Sequence, residues 1–275
     1  MLNVMALNTA NYHDHPGWSE RLPMIVQAII ANNADVIGLS EIRYDPGNAF
    51  NDTCQQFWAG YGLNLPNCGQ MDMGQQIMTL LQEQAPAAYG NATIMTNIGV
   101  VYSDGQREGL SIISRFPMVG GYVTHSQSPG SKDSANKRIT QWAVITTANG
   151  NPFYLFNTHF SLDANDRLLD VQEALNLIGS ALGASCCLVG DMNATPDDSA
   201  LALLGPAGLA DEWAAIGTGP GFTYPSDAPT KRIDYIWSSP ALAPAIQSIQ
   251  LVGTQPAQDG TFLSDHFGVV ATFNW

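Results

Sequence analysis

Compact polar side chains recur where the apolar runs of this chain stop. Asn8 follows LNVMAL, Glu41 follows VIGLS, His159 follows FYLFNT, and Asp191 and Asn193 follow CLVG in GDMNATPDD. Asp234 sits inside KRIDYIW, two residues after Arg232, and Asp265 and His266 stand side by side before the last apolar run. Glu41 and Asp265, with Asn8 or Asn193, are hard oxygen donors that suit Mg²⁺ or Ca²⁺ and suit zinc poorly. His159, His266, Asp191 and Asp234 are groups that place water and move protons. The chain has no Cys-x-x-Cys, no His-Glu-x-x-His and no Gly-x-Ser-x-Gly, so neither a zinc centre nor a serine nucleophile is indicated. Taken singly, each position has a structural reading: a strand-end cap at Asn8, an edge charge at Glu41, a satisfied half-buried ring at His159, a turn at Gly190-Asp191. Recurrence at the mouths of different strands, where rigid scaffolds build sites, favours one shared site.

The cations keep the same company. Only ten lysines and arginines stand against 24 acids. Arg43 is two residues after Glu41, Arg107 adjoins Glu108, Lys137 and Arg138 precede the run leading to His159, and Lys231 and Arg232 precede Asp234. Arg167 lies in the segment after His159. Two explanations stand: these cations pair with neighbouring acids, or they face an anion, with phosphate the first choice. An anion beside hard oxygen donors also explains a metal.

The elements that must position these residues follow from periodicity. Strands are expected over residues 2–7, 36–39, 98–102, 110–113, 118–124, 139–146, 153–157, 186–189, 233–237, 246–252 and 267–273. Amphipathic helices are expected over 18–31, 71–84 and 164–182, with a short one over 198–204. Short Gly, Asp or Pro turns in the middle of the chain suggest antiparallel pairing. No linker, repeat or low-complexity stretch divides residues 1–275, so a single domain is expected. Strands outnumber helices, and two mixed β-sheets packed together with helices outside, an α/β sandwich, would bury them.

Composition sets outer bounds. Hydrophobic residues make up 45% of the chain, enough for a large core, and the net charge is −14. Such a surface repels nucleic acid and anionic membrane at long range, although a bound metal reverses the sign locally. No apolar run reaches the length of a membrane-spanning helix. The first residues lack the charged start of a signal peptide, so the protein is either intracellular or had a signal removed. Cys186 and Cys187 are adjacent in a strand and should face opposite sides as packed thiols. Cys54 and Cys68 bracket a polar loop, a spacing compatible with a disulfide and an oxidising compartment. The low charged fraction of 12%, with many Asn and Gly, leans towards secretion over the cytoplasm.

Asn8, IGLSE ending at Glu41, EGLSIISRFP from Glu108, NTHF, GDMN, KRIDYIW and SDHFGVV stand here in order. In that order and spacing they resemble the endonuclease/exonuclease/phosphatase superfamily of metal-dependent phosphoesterases. The resemblance spans nearly the whole chain. It implies a four-layer sandwich with a site at one edge of the paired sheets. By motif, Glu41 would ligate Mg²⁺ (or Mn²⁺ or Ca²⁺), with Asn8 and Asp265 close by. Asp191, helped by Asn193, would orient or deprotonate the attacking water. His159 and His266 would contact the phosphate, Asp234 would hold His266, Glu108 would hold His159, and Arg138 would touch the phosphate. A tyrosine that touches phosphate in the deoxyribonuclease branch is replaced here by Gln106.

The resemblance does not fix the substrate. A nucleic acid is the first expectation, then a phospholipid or sphingolipid diester, then a soluble sugar or inositol phosphate. A non-catalytic binding protein of the same fold is the remote alternative. Phe57, Trp58 and Tyr61 could face a membrane or pack beneath their loop. Phe222 or Tyr224 could face a substrate ring or a core. A monomer is expected.

Overall fold

Apolar alternation decides which way each strand faces. In β1 (Leu2–Asn8), Leu2, Val4 and Ala6 point into one core while Met5 and Leu7 point into another, the period of two that a strand buried on both faces requires. The computed structural model describes residues 1–45, 71–103 and 105–275.

A helix, α1 (Trp18–Ala31), carries the chain from β1 to β2 (Val36–Asp45), which lies parallel to β1. A two-residue β3 (Met71–Asp72) pairs with the far end of β2. Next come α2 (Met73–Gln84), capped by the Asp72 side chain accepting from the Gln75 amide, and α3 (Pro86–Tyr89). Strands β4 (Thr93–Val101), β5 (Arg107–Ser114), β6 (Met118–Thr124), β7 (Ile139–Thr146) and β8 (Pro152–His159) follow. After α4 (Ala164–Ile178) come β9 (Cys186–Asp191), β10 (Ala210–Asp211), α5 (Glu212–Ile216), β11 (Asp234–Ser238), β12 (Ile246–Val252) and β13 (Gly268–Phe273).

Sheet one has the order β12-β13-β1-β2-β5-β4, with β3 added beside β2. Sheet two has the order β10-β11-β9-β8-β7-β6. Both are mixed: β1–β2 and β8–β9 run parallel, and the remaining pairs are antiparallel. Three apolar clusters stack through the molecule. One lies between sheet one and α1–α3, one between the two sheets, and one between sheet two and α4. The four expected layers are therefore present. Cys187 faces the inter-sheet core and Cys186 the α4 side. Polar residues also cross between the sheets. The Asn157 side chain of β8 donates to the Leu39 and Ser111 carbonyls of sheet one at 3.1 and 3.2 Å, and Gln141 of β7 donates to the Met95 carbonyl at 2.7 Å.

Several elements differ from expectation. The strand expected over 36–39 runs on to Asp45 through a bulge at Ser40-Glu41, because the partner register slips between Leu39 and Ile42. The strand expected over 98–102 is Thr93–Val101, whose half-exposed Thr and Asn positions hide its period. The helix expected to reach 182 stops at Ile178, where Gly179 follows. The short helix expected over 198–204 is a single 3-10 turn, Leu201–Leu203. Cys54, Cys68 and the aromatics Phe57, Trp58 and Tyr61 lie outside the described residues.

One glycine is required where β9 meets β8. Gly190 has φ +128°, and a Cβ there would stand 2.0 Å from the Thr158 carbonyl oxygen. Gly190→Ala must push two paired strands apart beside the site. It should cost about 2–4 kcal/mol and lower Tm by roughly 5–10 °C. A thermal melt with unchanged Tm would show that β8 and β9 part freely.

Candidate active site

Strand register builds the first half of the site. On sheet two, Asp191 at the end of β9 is the direct partner of His159 on β8 and of Asp234 on β11. Three chemically useful residues thus form one row across three strands. Sheet one supplies the other half: Asn8 from the end of β1, Glu41 from the bulge in β2, and Asp265-His266 from the turn before β13. Glu41 has φ +56° and Asn193 has φ +46°, a left-handed backbone that non-glycine residues adopt at a cost of order 1–3 kcal/mol. At Glu41 that conformation belongs to the bulge, which places the carboxylate beside Asn8.

The contacts knit the halves together. Asn8 Nδ2 donates to Glu41 Oε1 and to Asp191 Oδ2, both at 3.0 Å, and its Oδ1 accepts from the Ala10 amide. His266 Nδ1 meets Asp234 Oδ2 at 2.8 Å, and its Nε2 is 3.8 Å from Asp191 Oδ2. His159 Nε2 lies 3.5 Å from that same oxygen. Asn193 anchors the turn after Asp191: its amide donates to Asp191 Oδ1 and its side chain to the Phe160 carbonyl. Glu41, His159, Asp191, Asn193 and His266 line a cavity of about 1000 Å³.

Burial and charge set the protonation states. Burial and the nearby Asp234 push the Asp191 carboxyl up to about 7. Burial works against a charged His266, but Asp234 and Asp191 overcome it and push the ring up to about 10. Burial, the Arg138 guanidinium and His266 hold His159 well below the usual histidine range. One Asp191 oxygen therefore stands between a neutral imidazole and a charged one.

The donor set fits a divalent cation. Glu41, Asp191, Asp234 and Asp265 share one site, and among the described residues no lysine or arginine ion-pairs with any of them; the three aspartates meet histidines, and Glu41 accepts from Asn8 and Asn11. Asp234 Oδ1 is buried without a hydrogen bond. Burial raises the Asp265 carboxyl, and Glu41 and Asp234 repel it further. Excess negative charge on hard oxygens is what a divalent cation relieves. Ligand atoms of Asp191, Asp234 and His266 also lie within 4.8 Å of one another, yet the ring already bonds Asp234. Asp265 is the more open acid, its side chain 28% exposed against 1–2% for Asp234 and Asp191. The reachable donors are therefore Glu41 and Asp265.

Two expected roles change. Glu108 makes no hydrogen bond to His159 among the described residues; its Oε2 accepts from Asn11 Nδ2 at 3.0 Å and Arg43 Nη1 at 3.2 Å. Burial and Glu41 push this carboxyl up to about 7. Asn8 approaches the acids through its NH₂ and so bridges Glu41 and Asp191. The clustered arginines are mostly paired: Arg43 with Glu108, Arg138 with Asp133, Arg167 with Asp198 and Arg232 with Asp211. Gln106 accepts from Arg43. The sequence reading missed Asn11, whose side chain touches Asp14, Glu41 and Glu108. A second asparagine three residues after Asn8 was its signal. It also missed His15, 3.4 Å from Asp265. Tyr224 settles on the site side: its ring centroid is 4.8 Å from that of His266.

A sequence profile of the Endonuclease/Exonuclease/phosphatase family matches residues 8–266. The chain belongs to this family. It is accordingly a phosphoric ester hydrolase. No curated protein matches the sequence. Among solved structures, an endonuclease/exonuclease/phosphatase family protein from Leptotrichia buccalis is 18% identical with a TM-score of 0.70, each chain covered fully. A mannosyl-6-phosphatase from Bacteroides thetaiotaomicron is 19% identical with a TM-score of 0.69, again over 100% of both chains. A humanized D. rerio TDP2 is 19% identical with a TM-score of 0.65, over 100% of this chain and 99% of that one. At these identities the neighbours share the family's fold.

Proposed function

We propose that this family member hydrolyses phosphodiesters by in-line attack of water, assisted by a divalent cation, with Mg²⁺ the best match to the donors. The observation that carries the reading is the Asp191 oxygen flanked by a neutral His159 and a charged His266. When bound at Glu41 and Asp265, the cation would neutralise charge on a phosphate oxygen. Asp191 accepts the proton of the attacking water. The His266 cation, held by Asp234, and the His159 ring donate hydrogen bonds to the phosphate oxygens as negative charge builds on them. Asn8 keeps Glu41 and Asp191 in register, so the cation donors and the base approach one phosphate together.

An endonuclease is the second reading. Tyr224 is half-exposed beside His266, and the Lys231 ammonium lies 6.0 Å from the Tyr224 ring centroid, a stacking face with a cation that suits a nucleotide. Against a long polyanion stands the net charge of −14.

Hydrolysis of bis(p-nitrophenyl) phosphate with Mg²⁺ tests the first reading, with EDTA and His159→Ala as controls. Turnover that EDTA abolishes and His159→Ala lowers by about 10²–10⁴-fold is the expected result. A folded protein with no turnover sinks it. Nicking of supercoiled plasmid separates the nuclease from small-ester readings, and mannose 6-phosphate is the monoester comparison.

A further inference from the structure

The connection between β6 and β7 lies against the active-site cavity, and one carboxylate organises it. Asp133 Oδ2 accepts from Arg138 Nε at 3.2 Å and Nη2 at 3.1 Å, from Ser161 Oγ at 2.8 Å and from the Leu162 amide at 3.1 Å. Its other oxygen accepts from Asn136 Nδ2 at 2.8 Å. The side chain is 3% exposed. Ser161 and Leu162 directly follow His159-Phe160, so a single carboxylate ties the guanidinium to the segment leaving the histidine. The connection is held from the α4 side as well: Ser128 and Ser131 donate to Asp166, and the Lys132 amide to Asp163.

With Nε and Nη2 fixed by Asp133, Arg138 has one terminal nitrogen, Nη1, with no hydrogen bond among the described residues, and the residue lines the cavity together with His159 and Asp191. The guanidinium is near enough to His159 to help hold that ring neutral. An arginine fixed along one edge presents its remaining N–H groups in a set direction, which a solvated arginine does not. The three other cations at the cavity differ. Arg43 and Arg167 have all three guanidinium nitrogens bonded within the protein, to Gln106 and Glu108 and to Asp198 and the Ser161 and Leu162 carbonyls, and Lys231 is exposed on a hairpin.

We propose that Asp133 is a positioning residue: it aims Arg138 at the reacting phosphate and acts on the reaction through that guanidinium. The inference rests on the proposed phosphoester chemistry and on Arg138 as a phosphate contact. Asp133 itself touches no substrate. Its Ser161 and Leu162 bonds serve the backbone, and its Arg138 bonds serve the phosphate.

A double-mutant cycle separates the two roles. Inorganic phosphate is titrated by calorimetry into Mg²⁺-saturated wild type, Asp133→Asn, Arg138→Ala and the double variant. Asp133→Asn should weaken phosphate roughly 10-fold when Arg138 is present and less than about 2-fold when it is absent. Asp133→Glu, which keeps the charge, should recover most of the affinity and supplies the comparison if Asp133→Asn does not fold. Thermal melts should show a loss of Tm from Asp133→Asn in both backgrounds, because the Ser161 and Leu162 bonds do not depend on Arg138. Equal weakening in both backgrounds, wild-type affinity in Asp133→Asn, or no measurable phosphate binding by wild type overturns the proposal. Turnover of bis(p-nitrophenyl) phosphate by wild type is measured alongside. Its absence would sink the hydrolase reading alone, since the phosphate cycle stands without it.

Discussion

Asp191→Asn should leave a folded protein with turnover reduced by about 10³-fold or more. The side chain is nearly isosteric, and its one oxygen can still accept from the Asn193 amide, while Asn8 keeps its bond to Glu41. What disappears is the anion proposed to take a proton from water. The same change removes repulsion between Asp191 and Asp234, buried direct neighbours across β9 and β11. Tm should therefore stay equal or rise while activity collapses, the trade-off of a site built from strained charges. Steady-state kinetics with a parallel melt checks this. Turnover within about 10-fold of wild type would remove Asp191 as the base.

Asp234→Asn should cost roughly 10²–10³-fold in kcat at pH 8, although Asp234 does not line the cavity. Burial favours a neutral His266 and Asp234 is the largest force against it. With the acid in place the ring stays charged at pH 8, because its folded value lies near 10. Without it, burial is opposed only by Asp191 and Asp265, so the ring should lose charge at that pH. The sign of the pH effect follows: the deficit should be largest at pH 8 and shrink towards pH 6, where protonation of the ring returns. A kcat–pH profile for both proteins checks this, and a pH-independent deficit would leave Asp234 with an orienting role only.

Much of this site was legible before the fold was known, and the reason is physical. His159 and Asp191 each stand where an apolar run stops, and Asp234 stands at the start of one, inside KRIDYIW. The register that aligns them in one row is a property of pairing, which no single strand reveals. Glu41 shows the limit more sharply. The sequence reading ended its strand at Leu39, yet the strand continues, and the bulge arises only from the slip against β5. The cations show a different limit. Their proximity in sequence to the site acids fits either pairing or an anion, and Arg43, Arg138 and Arg167 each have a carboxylate partner that sequence alone does not assign. Asp133, the partner of Arg138, lies in a polar stretch without periodicity and gave no signal. Nor did sequence tell which way the Asn8 amide turns, because both its ends are polar and only the neighbours decide.

The division of the site between the sheets has a practical meaning. Asn8, Glu41 and Asp265-His266 belong to sheet one, and His159, Asp191 and Asp234 to sheet two. The side-chain amides of Asn157 and Gln141 cross from one sheet to the other. Neither half of the sandwich holds Asp191, the Glu41 and Asp265 carboxylates and the His266–Asp234 contact by itself. A catalytic signal from this protein therefore also reports that its two sheets have docked in the right alignment. In a lysate or on a library plate, the colour of a cleaved ester can stand in for a folding assay.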